Sequence, residues 1–106
     1  MTYFAVFRQP GPAWDPSRPM RGQDRWDAHA AFMDGLAKEG FIVLGGPLGD
    51  GSEFLMVVNA ENEAVIEARF AEDPWVPMRL LRIDRIEPWQ ILLGRLPAPA
   101  AQGDEG

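Results

Sequence analysis

The sequence predicts a ferredoxin-like α+β fold with the element order βαββαβ. Three observations carry that reading. The chain opens on an aromatic and β-branched run at residues 2–8. Two segments, near residues 24–38 and 59–72, carry apolar residues at helical spacing. Between them, Gly49-Asp50-Gly51 separates two short apolar runs in the manner of a hairpin. At 106 residues, 46% of them hydrophobic, the chain has the material for one domain with its own core.

The elements follow in order. Thr2 to Arg8 reads as the first strand. Residues 9–22 hold four prolines and two glycines, which exclude regular structure. A stretch of that length without secondary structure is uncommon in a compact domain unless it has a task. Trp14 and Met20 within it predict a flap docked over something. The first helix is expected from Asp24 to Lys38, with Asp24 as its cap and Gly40 as its stop. Phe41 to Leu44 reads as a strand ending at Gly45-Gly46-Pro47-Leu48, and Glu53 to Val58 as its hairpin partner. Asn59 to Glu72 reads as the second helix, with Val65, Ile66, Ala68 and Phe70 inward. It must end by Asp73, because a proline such as Pro74 disfavours helix at the residue before it. Residues 78–87 fit strand or helix by pattern; strand is preferred because the first strand still needs a partner. Trp89 to Leu93 reads as a short final strand. The domain therefore spans residues 1–96, and the Pro/Ala/Gly-rich acidic tail 97–106 is expected to be disordered.

Composition narrows the chemistry. The chain has no cysteine, so disulfides, thiolate zinc sites and cysteine nucleophiles are excluded. Its single histidine excludes a multi-histidine metal site within one chain, and neither metal nor other cofactor is expected. A net charge of −6 argues against nucleic acid as a partner, since phosphate binding needs a basic face. No apolar run reaches the roughly 20 residues that cross a bilayer. The opening strand does not resemble a secretory leader, and a cytoplasmic location is expected. The hairpin strands are apolar at successive positions, so both faces of the sheet should be buried. The helices cover one face. A second copy of the chain is the simplest cover for the other, which predicts a homodimer; a cofactor or another protein would also serve.

The most informative residue is His29. On the predicted helix it shares one face with Trp26, Met33 and Leu36. An unpaired imidazole on a core-facing stripe costs about 1–3 kcal/mol. It therefore has a buried partner, such as a backbone carbonyl, or the stripe borders a pocket. Histidine also suits proton transfer near neutral pH. Among the acids, Asp27 and Asp34 should face solvent. Asp73 ends a helix and precedes Pro74 and Trp75. It either supports that turn, a common task for aspartate, or approaches His29 across the helix layer, where a carboxylate would orient the ring. Gly45-Gly46-Pro47-Leu48 lacks the spacing and the lysine of a phosphate loop. Its glycines end a strand where another group comes close.

Four pieces taken together, Tyr3-Phe4-Ala5-Val6, His29-Ala30-Ala31-Phe32-Met33-Asp34, Gly45-Gly46-Pro47-Leu48 and Asp73-Pro74-Trp75, resemble the YCII-related (YciI-like) family in order and spacing. The resemblance covers residues 1 to about 93. It implies the dimeric α+β barrel fold and a histidine–aspartate pair in a cleft beside the sheet, proposed as an acid/base site. The matching positions here are His29 and Asp73. Where some relatives carry an arginine three residues before the histidine, this chain has Trp26, so an anion-binding role there does not transfer.

The leading functional expectation is a cofactor-independent enzyme acting on a small, aromatic or cyclic molecule. His29 would move the proton and Asp73 would hold the ring. Trp14, Met33 and Trp75 would form apolar walls, and Gly46 would let the backbone approach the ligand. The alternatives are a dimeric ligand-binding or interaction module without turnover, and a purely structural buried pair.

Overall fold

A computed structural model describes residues 1–96; the expectation for the tail lies outside the described residues. Its elements are β1 (Thr2–Pro10), a single 3-10 turn (Met20–Gly22), α1 (Trp26–Lys38), β2 (Ile42–Leu48), β3 (Glu53–Ala60), α2 (Glu63–Phe70) and β4 (Leu81–Pro88). The sheet order is β2-β3-β1-β4, antiparallel at every pairing. This is the ferredoxin-like arrangement.

Period-two alternation sorts β1 into two sets. Phe4, Val6 and Arg8 pair in register with Val58, Met56 and Phe54 and face the helices. With Leu36 of α1, Ile66 and Phe70 of α2 and Trp75, these apolar side chains make the core. The opposite face carries Ala5 and Phe7 beside Val57, Leu55 and Leu44. The hairpin is thus apolar on both sides. Along β4, however, that second face is charged: Arg85 lies beside Phe7, with its guanidinium carbon 3.8 Å from the ring centre. Leu44 and Leu48 remain 49% and 37% exposed there.

Several boundaries differ from expectation. Asp24 does not cap α1. Arg25 precedes the helix in a left-handed conformation (φ 61°) without a side-chain cap. The Asp24 carbonyl instead accepts the indole N–H of Trp75 at 2.6 Å, so a tertiary bond fixes the chain before the helix starts. α2 is shorter than predicted. Asn62 caps it by accepting the Val65 N–H at 3.0 Å, while Asn59 and Ala60 stay in β3 opposite Tyr3 and Thr2. β2 continues through Gly45, Gly46 and Pro47. Pro47 is tolerated because β2 is an edge strand, where a missing N–H need not break the ladder. The predicted strand from Trp89 to Leu93 does not form. Its first N–H reaches the Tyr3 carbonyl at 2.9 Å, but β1 begins at Thr2 and offers nothing further to pair with. Leu92 and Leu93 are left 77% and 89% exposed.

The proline-rich loop is held at both ends. Gly11 and Ala13 donate to the Leu80 and Arg79 carbonyls, each at 2.9 Å. The buried Gln23 side chain accepts the Asp15 N–H at 3.0 Å and donates to the Asp15 carbonyl at 2.8 Å and that of Arg18 at 3.1 Å. A Cβ on Gly11 would strike the Arg79 carbonyl oxygen, a backbone atom that cannot step aside. Gly11→Ala is therefore expected to lower stability by about 1–3 kcal/mol. Urea unfolding checks this; an unchanged midpoint would show that the loop anchor is dispensable.

Candidate active site

Three elements deliver three side chains to one point. Alternation along β1 turns Arg8 inward, the α1 stripe turns His29 inward, and the turn after α2 brings Asp73 between them. The Asp73 carboxylate accepts the Trp75 N–H at 2.9 Å, so the expected turn role is real. The same carboxylate stands 3.0 and 2.9 Å from His29 Nδ1 through its two oxygens. Arg8 Nη2 lies 3.1 Å from Oδ2. Arg8 and Asp73 are wholly buried and His29 is 6% exposed. The two sequence readings of Asp73 therefore coexist in one group.

The electrostatics follow from this geometry. Burial opposes ionisation of Asp73, but the bonds from His29 and the Trp75 N–H and the charge of Arg8 together outweigh it, holding the carboxyl below its usual range. Burial draws the pKa of Arg8 down, with Asp73 opposing. An ionised carboxylate at Nδ1 fixes that nitrogen as a donor, whether the ring is neutral or charged. Nε2 has no protein partner among the described residues. The Trp75 indole stacks on the imidazole, with centroids 3.9 Å apart and planes 4° from parallel. Its own bond to the Asp24 carbonyl fixes the indole plane.

A cavity of about 310 Å³ lies between α1 and β2, lined by His29, Arg8, Trp26, Met33, Gly46 and Trp75 among others. Trp14 is not on its wall. It packs edge-on behind Trp75, 5.7 Å between centroids, and against Phe54 at 6.1 Å; the loop reaches the cavity through Met20 instead. Gly46 lines the cavity, and a Cβ there would meet nothing within 4 Å, so the space beside its backbone is open. At Gly45 the space is taken: a Cβ would lie 2.9 Å from Met56 Cγ, so the missing side chain there makes room for Met56. Asp34, expected to face away, is solvent-exposed and stands at the cavity rim. Sequence reasoning missed Arg8. The signal was present: Phe4, Val6 and Arg8 alternate on one strand face, and a cation ending an inward series demands a buried counterion.

Among the described residues no group of three or more His, Cys, Asp or Glu side chains is arranged to hold a metal ion. Nor is any helix long and apolar enough to cross a membrane.

No protein-family model matches the chain, and no curated protein matches it. Among solved structures it is similar to the 5-chloro-2-hydroxyhydroquinone dehydrochlorinase of Burkholderia phenoliruptrix in complex with 2,5-dihydroxybenzoquinone. The TM-score is 0.63 at 24% sequence identity, covering 83% of this chain and 93% of that one. The likeness shows the fold.

Proposed function

We propose that this protein is an acid/base catalyst acting on a small aromatic or cyclic compound, with His29 Nε2 as the atom that moves the proton. The observation that carries the reading is the division of labour on one ring. Nδ1 is committed to an ionised Asp73, which leaves Nε2 for a compound in the adjoining cavity. Nε2 would take a proton from a hydroxyl or ring carbon of the substrate and become part of an imidazolium. Asp73, a positioning residue, stabilises that cation through Nδ1–H, and the Trp75 face stabilises it by stacking. The proton then returns to the product or to a leaving group. Met33 and Trp75 supply apolar walls, and Gly46, with open space beside it, gives the backbone of β2 close access. Trp14 acts at one remove, by bracing Trp75. The compounds named for the structural neighbour, a chlorinated hydroquinone and a hydroxyquinone, belong to the substrate class the cavity suits.

The test uses 2,5-dihydroxybenzoquinone as a binding probe, read by quenching of tryptophan fluorescence. A panel of hydroxylated and chlorinated hydroquinones, read by chloride release and absorbance, reports turnover. Saturable quenching with turnover of at least one panel member is expected. Binding without turnover across the panel would put the ligand-binding module ahead.

The apolar part of the open sheet face fits a second copy of the chain. An apolar patch wider than a few hundred Å² is rarely left bare on a monomer. Sedimentation at micromolar concentration is expected to give about twice the 11.8 kDa chain mass. A clean monomer would remove the homodimer from this proposal.

A further inference from the structure

The Arg8 guanidinium is short of acceptors. It carries five N–H donors and has no exposure to solvent. Nη2 is 3.1 Å from Asp73 Oδ2 but is not aligned to donate to it, and Nε meets no acceptor. Nη1 donates to the Met33 thioether at 3.7 Å, and the Phe70 ring lies 4.8 Å beneath the guanidinium carbon. One carboxylate oxygen, one sulfur and one ring face are poor company for a buried cation. Asp73 does not make up the difference: its Oδ1 takes the Trp75 N–H, both oxygens face His29 Nδ1, and its position brings no Arg8 N–H into line with Oδ2. A buried donor set left this incomplete requires an explanation.

Met33 provides one. It lies on α1 one turn beyond His29, is half-buried, and lines the same cavity as Arg8. A thioether is a weak acceptor on a side chain with three rotatable bonds. An ionised oxygen makes a bond about twice as strong as a neutral one, and in largely apolar surroundings its attraction to the cation is little screened. The other acid at the cavity, Asp34, is at the solvated rim.

We propose that Arg8 is the anion-binding group of the cavity, and that the compound it takes is a small ring bearing an ionised oxygen, a phenolate or enolate, which replaces the Met33 sulfur at Nη1. This rests on the acid/base reading for where the compound sits and adds its charge. The carboxylate of Asp73 then has two duties: it orients His29 and it holds the cation that holds the substrate.

The test compares 2,5-dihydroxybenzoquinone, an acidic enol that is anionic at neutral pH, with its neutral 2,5-dimethoxy analogue, by calorimetry on the full chain. Wild type is expected to prefer the anion by about tenfold or more. In Arg8→Gln the preference should collapse toward unity, with the fold certified by an unchanged circular dichroism spectrum. If Arg8→Gln does not fold, Met33→Leu decides. It removes the sulfur that competes for Nη1 and should raise the preference for the anion over the neutral analogue by about threefold; a preference left unchanged would overturn the assignment. His29→Gln should keep the anion preference, which separates Arg8 from a charged imidazole as its source. No preference in wild type, a preference surviving in folded Arg8→Gln, or one lost in His29→Gln would overturn the assignment. Turnover that survives in His29→Gln would instead overturn the acid/base reading and leave Arg8 as the anion site of a binding protein.

Discussion

Asp73→Asn is expected to lower folding stability by about 3–5 kcal/mol, the cost of removing one partner from a buried ion pair. The substitution keeps the size of the side chain, removes its charge and turns one accepting oxygen into an NH2 donor. Arg8 would then be a buried cation with no anion, beside a sulfur and a phenyl ring. The pH dependence distinguishes this from a packing defect. The folded-state pKa of Asp73 lies below its ordinary 3.8. A depressed carboxyl contributes stability that is fully present above the unfolded pKa and is lost as pH falls through the folded one. Wild type should therefore lose more stability than the variant as pH drops below about 4. Asp15 and Asp50 are also depressed, chiefly by hydrogen bonds from Ser17 and Ser52. The difference between the two proteins, and not either curve alone, isolates Asp73. Urea unfolding at several pH values gives the result; parallel curves would mean that folding leaves the Asp73 pKa where it was, and a wild type that gains on the variant in acid would mean a carboxyl kept neutral in the folded state.

Substituting His29 by Gln should reduce turnover by about a hundred- to ten-thousand-fold, the usual worth of a positioned acid or base. An amide can still donate to Asp73, so the buried carboxylate keeps a partner and the fold should survive. What is lost is an atom that gains and releases a proton near neutral pH. The fall should appear in kcat with little change in KM, because the apolar walls at Trp26, Met33 and Trp75 are untouched. A rise in KM alone would make His29 a recognition group and favour the module without turnover.

Much of this was legible in the chain itself. The order βαββαβ follows from local periodicity and turn residues, and alternation and helical spacing fix which side chains face inward. That logic singled out His29 on an apolar stripe and Asp73 before Pro74. It extended to Arg8, had the Phe4–Val6–Arg8 series been followed to its end. Local pattern states the side a residue faces and is silent on what waits there. That β1 lies beside β4 and below the end of α2, so that Arg8 meets a carboxylate from the turn at Asp73, is decided by the sheet order β2-β3-β1-β4. That order is set by which faces can be buried together. The boundaries that shifted have the same cause. Asp24 has the chemistry of a helix cap, yet its carbonyl is held by the Trp75 indole, and a bond to a distant residue outweighs a local preference worth about 1 kcal/mol. The final strand fails because β1 offers no further partner. The place of Trp14 behind the cavity wall is likewise a matter of packing, since Trp75 already fills the position against His29.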